Sequence, residues 1–77
     1  MIGIIIEDKN AATQVNEILH QYGTYVIGRM GLPYEKKHVS IINVVMDAPA
    51  DVISAVSGKL GRLSGVTSKA LYSKTGI

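Results

Sequence analysis

The residues best placed to do chemistry stand in Tyr25-Val26-Ile27-Gly28-Arg29-Met30-Gly31-Leu32-Pro33-Tyr34. A single cation, Arg29, sits among β-favouring residues with Gly28 and Gly31 beside it. A guanidinium presents a fork of donors that matches a carboxylate or another anion. Glycines on both sides would let a ligand approach the backbone closely. The same pattern also fits an ion pair at an interface, with Glu7, Glu35 or Asp47 as the acid. Tyr34 closes the stretch and belongs to the same candidate surface.

Other candidates are thinner. Gly58-Lys59-x-Gly61 has the composition of half a phosphate loop, but its surroundings read as helix, where the backbone N–H groups are already committed. Close packing against the first helix or a neighbouring chain accounts for the glycines better. Glu17 and His20 share a helix face and could contribute two metal ligands, with the remainder supplied from elsewhere. His38 follows two lysines, which disfavour a cation nearby, and solvent-exposed histidines account for both positions. Glu7 and Asp8 end a strand, where they could hold a cation or an amine; helix capping accounts for them equally well.

Several chemistries are absent from the pattern. The chain has no cysteine, so disulfides and thiolate metal sites are excluded. No serine or threonine has a legible histidine–acid partnership, and the expectation is a protein that is not an enzyme. Phe and Trp are missing, and with them the aromatic strands by which this kind of fold reads RNA. A net charge of +2 does not by itself point to nucleic acid, and no DNA-reading element is visible. No motif names a cofactor.

The elements that must position these residues follow from periodicity. Ile2 to Ile6 is a β-branched strand. Ala11 to Tyr22 carries an apolar stripe at Ala11, Val15, Ile18, Leu19 and Tyr22, with Thr13, Asn16, Glu17, His20 and Gln21 on the other face, and Gly23 reads as a left-handed helix stop. Thr24 to Leu32 is a second strand ended by Pro33, with Val26, Gly28, Met30 and Leu32 on one side and Ile27, Arg29 and Gly31 on the other. His38 to Met46 is a third strand, apolar on both faces and so central and covered on both sides. Asp47-Ala48-Pro49-Ala50-Asp51 opens a second helix with Val52, Ile53, Val56, Leu60 and Leu63 toward the core. A second stripe on that helix is small: Ser54, Ser57, Gly58 and Gly61. Val66 to Tyr72 is the fourth strand, and Ser73 to Ile77 reads as a frayed tail.

The order β-α-β-β-α-β predicts an α+β class: a ferredoxin-like sandwich with a four-stranded antiparallel sheet and two helices on one face, occupying residues 1–77 as one domain. Seventy-seven residues, 47% of them hydrophobic, leave little margin for an isolated core. The second sheet face keeps part of the Ile, Val and Met content, so a homo-oligomer, dimer or tetramer, is expected, built sheet to sheet or edge to edge. The longest apolar runs are too short to span a membrane. Met1-Ile2-Gly3-Ile4 does not read as a signal peptide, and a cytoplasmic protein is the expectation.

The Tyr25 to Tyr34 stretch, together with Ile2-Gly3-Ile4-Ile5-Ile6-Glu7-Asp8, Leu19-His20-Gln21-Tyr22-Gly23, Asp47 to Ala55, Gly58-Lys59-Leu60-Gly61 and Gly65-Val66, resembles a small bacterial family described as iron-only hydrogenase system regulators. The resemblance covers nearly the whole chain, and Gly-Arg-Met-Gly-x-Pro-Tyr is its most specific part. It implies an ACT-like, ferredoxin-like fold, similar also to the C-terminal domain of nickel-responsive repressors. It further implies a regulatory module that senses a small molecule or metal, linked to the iron-only hydrogenase system. The alternative is a protein–protein interaction module without a small ligand. Here the turn after the first strand is Glu7-Asp8-Lys9-Asn10, not the Pro-Gly turn that serves amino-acid binding in ACT-like domains.

Overall fold

The computed structural model describes residues 1–75 and 77. Strand β1 is Ile2–Ile6; a single 3-10 turn, Lys9–Ala11, leads into helix α1, Ala12–Gln21. A second such turn, Gly23–Tyr25, precedes β2, Val26–Tyr34, and a third, Glu35–Lys37, joins β2 to β3, Val39–Met46. Helix α2 spans Ala50–Gly61 and strand β4 Val66–Ala70. The strands form one antiparallel sheet in the order β2-β3-β1-β4, which is the ferredoxin-like arrangement. Among the described residues no helix is long and apolar enough to cross a membrane.

Alternation builds the core. In β1 the residues Ile2, Ile4 and Ile6 are buried while Gly3 and Ile5 face outward. Ile2 lies opposite Val44 and Ile4 opposite Ile42, so the two central strands present one continuous apolar floor. Val15 and Leu19 from α1 and Ile53, Val56 and Leu60 from α2 close over it. The opposite face stays open: Ile5, Leu32 and Ile41, neighbours in the register, are all exposed, as is Met30. β3 is therefore central, but it is covered on one face and not on both.

The edge position of β2 explains where its bounds depart from expectation. Pro33 does not end the strand; it pairs with Ser40, and the ladder runs on to Tyr34 opposite Val39. Proline is tolerated there because an edge strand has alternate N–H groups facing solvent, and a missing one breaks no ladder bond. A bulge between Val26 and Gly28 resets the alternation. Val26, opposite Met46, thus joins the helix-side face with Arg29 and Gly31, while Gly28, Met30 and Leu32 lie on the open face.

Two glycines at element ends differ in conformation. Gly23 has no positive φ; it starts a 3-10 turn, and α1 ends at the preceding tyrosine without a left-handed residue. Gly65 is the left-handed glycine, with φ +74. Its carbonyl accepts from the Glu7 N–H at 2.7 Å, which ties the turn before β4 to the end of β1. Part of the small stripe of α2 faces β4, while a Cβ on Gly58 would meet nothing within 4 Å. Ser68 donates to the Ser57 carbonyl at 2.7 Å, and a Cβ on Gly61 would stand 3.4 Å from Ser68 Oγ. The β1–β4 pairing continues beyond Ala70 through reciprocal backbone bonds between Met1 and Leu71. In the tail, Ser73 Oγ accepts from the Thr75 N–H; Gly76, within the segment expected to fray, lies outside the described residues.

Gly65→Ala tests this joint. A Cβ there would lie 2.6 Å from the Asp8 Cβ and 3.1 Å from its backbone nitrogen, in a conformation L-residues resist. The expected loss is about 2–3 kcal/mol, read from the urea midpoint at constant m-value.

Candidate functional site

Helix α1 does not cover β2. Between them runs a trough on the helix side of the sheet. Its middle is bridged by one contact: the Arg29 guanidinium donates to Asn16 Oδ1 at 2.9 Å. Asn16 projects from the polar face of α1 and Arg29 from the helix-side face of β2, so the bridge follows from the two periodicities and the edge register. Within the chain, among the described residues, the partner that Arg29 finds is this neutral amide. One amide oxygen leaves most of the five guanidinium donors to solvent.

Gly31 lies two residues along on the same face. A Cβ there would meet nothing within 4 Å, so the glycine leaves open floor beside the guanidinium instead of admitting a close neighbour. On one side of the bridge a concavity of about 250 Å³ is walled by Ala12, Asn16, Arg29, Gly31, Pro33 and Ser40 over Ile6 and Ile42. Ile6, Ala12, Pro33 and Ser40 are shared with a more enclosed cavity of about 160 Å³ that adds Lys9, Tyr34, Glu35 and His38. On the other side of the bridge, Asn16 and Arg29 wall a second space with Leu19, His20, Gly23, Val26 and Val44. The trough is apolar along its floor and carries two cations, Lys9 and Arg29, against one acid, Glu35. That balance suits an anion with an apolar body.

His38 lines the enclosed end of the trough. It is the one non-glycine residue with positive φ among those described, at φ 55 and ψ 40, closing the β2–β3 turn. Its N–H donates to the Glu35 carbonyl at 3.2 Å. His20 and Glu17 line a shallow depression on the outer side of α1 with Thr13, Asn16 and Gln21. Among the described residues there is no group of three or more His, Cys, Asp or Glu placed to hold a metal.

The remaining candidates fall elsewhere. Asp8 caps the 3-10 turn before α1, its Oδ1 accepting from the Asn10 N–H at 3.0 Å, and Glu7 meets Gly65 through its backbone. Gly28 is on the open face of β2, away from Arg29. Gly58 and Lys59 are on the outer face of α2. Lys59 Nζ donates to the Tyr22 hydroxyl at 2.8 Å and lies 5.0 Å from the centre of that ring, so it ties α2 to the end of α1. The structure thus gathers Arg29, Gly31, Tyr34 and His38 along one trough and leaves Glu7, Asp8, Gly28, Gly58 and Lys59 out of it. Asn16, Lys9 and Ser40 join the trough without having stood out in the sequence. Their only signal there is that a polar helix face and an edge strand must run side by side.

A family model described as "TM1266-like: Iron-only hydrogenase system regulator, putative" matches residues 1–70. The chain is also similar to the solved structure of the uncharacterized protein TM1266 from Thermotoga maritima, with 38% identity and a TM-score of 0.84 over 88% of this chain and 86% of that one. Among curated proteins none matches.

The trough contributes little to folding, and this can be measured. Arg29→Ala removes an exposed side chain with one bond to an exposed partner, and Gly31→Val places a strand-favouring residue in open space. Each is expected to change unfolding stability by no more than about 0.5 kcal/mol in urea titrations.

Proposed function

The chain belongs to the TM1266-like family of iron-only hydrogenase system regulators, and from that premise we propose that it is a non-enzymatic, cytoplasmic regulatory module. It works as a homo-oligomer and senses a small molecule or metal in the trough between α1 and β2. The observation that carries the reading is the Arg29–Asn16 bridge beside the open floor at Gly31. A cation anchored by a neutral amide keeps its charge and its remaining donors for a ligand, whereas a carboxylate partner would have taken two donors and neutralised the charge. The enclosed end of the trough, at about 160 Å³, suits a ligand of few heavy atoms. A metal in the trough would need further ligands from a second copy, with His20, which walls the trough beside Arg29, as this chain's contribution.

A second reading, a module that docks on a protein partner and takes no small ligand, is favoured by a separate observation. Met30 and Leu32 are each more than half exposed on the open face of the sheet, where Ile5 and Ile41 are exposed beside Leu32.

Thermal denaturation against amino acids, small carboxylates, nucleotides and divalent metals, nickel and iron among them, separates the two. The sensor reading predicts a saturable rise in Tm with one class, following RT ln(1 + [L]/Kd). The rise should vanish in Arg29→Ala and in Gly31→Val. A flat response to every class, with a partner protein retained on immobilised protein through the open face, would replace the sensor with the docking module.

A further inference from the structure

We propose that two copies pair antiparallel through β2, in a register centred on Met30, and that this pairing brings their two Arg29 side chains together as a site for a small dianion. The proposal rests on the reading of Arg29 as a ligand contact and deepens it by naming the partner and the charge of the ligand.

β2 is an edge strand whose residues from Arg29 to Tyr34 are all exposed. An edge of that length is a template for another strand unless something blocks it. Pro33 sets which backbone groups are offered. It pairs with Ser40 without an N–H, so its nitrogen faces away from β3, and with it the N–H and C=O groups of Arg29 and Gly31. Those of Gly28, Met30 and Leu32 serve β3. The outward groups of Arg29 and Gly31 are therefore free to make a reciprocal pair with the same two residues of a second copy.

The side chains select the register. Centred on Met30, the pairing sets Arg29 opposite the second copy's Gly31 on the helix-side face. On the open face it sets Leu32 opposite the second copy's Gly28, and Met30 opposite itself. Arg29 and Leu32 each meet a glycine. A Cβ on either glycine would meet no atom within 4 Å inside its own chain, so packing within one copy leaves both without a reason. A register slipped by two residues loses this: it sets Arg29 opposite Arg29 or opposite Pro33. The chosen register also carries the exposed Leu32 and Met30 into one apolar surface spanning both copies.

Across this joint the two Arg29 residues are diagonal neighbours, with Cα atoms about 7–8 Å apart. Each guanidinium is steadied by its own Asn16, and the two troughs merge into one cleft walled by α1 from each copy. Two cations at that spacing repel unless an anion lies between them, and two charges on the anion neutralise the pair. Dianion binding and dimer formation then strengthen each other.

The chain contains no cysteine, so a single introduced thiol reads the register directly. In a pair whose N–H groups point to the other neighbours, Cα atoms are about 4.5 Å apart, inside the disulfide range of about 4.4–6.8 Å. Met30 is 70% exposed, so Met30→Cys keeps the fold, checked by far-UV circular dichroism. Under mild oxidation the proposal predicts a near-complete disulfide dimer for Met30→Cys and none for Leu32→Cys; mixing Leu32→Cys with Gly28→Cys restores cross-linking between the two. Efficient cross-linking of Leu32→Cys alone, or none of Met30→Cys, overturns the register. Succinate and inorganic phosphate, compared with acetate at equal ionic strength, should raise the Tm of the Met30→Cys dimer, and Arg29→Gln in that dimer should abolish the rise. A cross-linked dimer indifferent to both dianions overturns the ligand class. An Arg29-dependent rise with some other class, in a protein whose Met30→Cys form does not cross-link, overturns this proposal and leaves the sensor reading standing.

Discussion

The burial of β1's alternate isoleucines against Ile42 and Val44 under two helices is the contact on which the molecule depends. Each of these side chains is worth roughly 1.5–3 kcal/mol when taken out of water, and in a chain this short a few such residues decide whether there is a fold at all. The helices spend their apolar faces on the two central strands and β4. Nothing remains to cover β2. That edge strand therefore keeps its cation, its glycines and its backbone groups available, and the trough beside it exists because the core is built elsewhere.

This division separates stability from function along the chain. The residues that hold the fold are apolar and fully buried, and no buried polar or charged residue interrupts them among those described. The polar residues that line the trough, Lys9, Asn16, Arg29 and Glu35, are exposed, and a hydrogen bond from Arg29 to Asn16 joins its two walls. A surface of this kind can change its ligand chemistry with small cost to the fold, which suits a regulatory module. The Lys59–Tyr22 contact belongs to the first group despite its charge, since it fastens α2 to the end of α1.

Much of the architecture was legible in the sequence because burial leaves a period. The isoleucine alternation in β1 and the stripes of both helices gave element types, order and the single covered face. What the sequence concealed was set by tertiary neighbours. Pro33 reads as a strand end until the strand is known to lie at an edge. The bulge at Ile27 changes which residues share a face with Arg29, and it has no local signature beyond the adjacent glycine. Gly23 and Gly65 carry equal signals for a left-handed turn, and only the crowding of Gly65 against Asp8 distinguishes them. Of the site, Arg29, Gly31, Tyr34 and His38 were legible because they fall in one composition break. Asn16 was not, since nothing on a polar helix face marks the residue that will meet an arginine from the next strand.

The central claim is that ligands enter the trough at Arg29. The most direct measurement is a ¹H–¹⁵N correlation spectrum of labelled protein titrated with pooled amino acids, dicarboxylates and nucleotides. The account predicts saturable shifts at the amides of Asn16, Arg29, Gly31 and Ser40, with the Lys59 and Tyr22 amides unmoved. Saturable shifts confined to Gly58, Lys59 and Tyr22, or a spectrum unchanged by every pool, would contradict it.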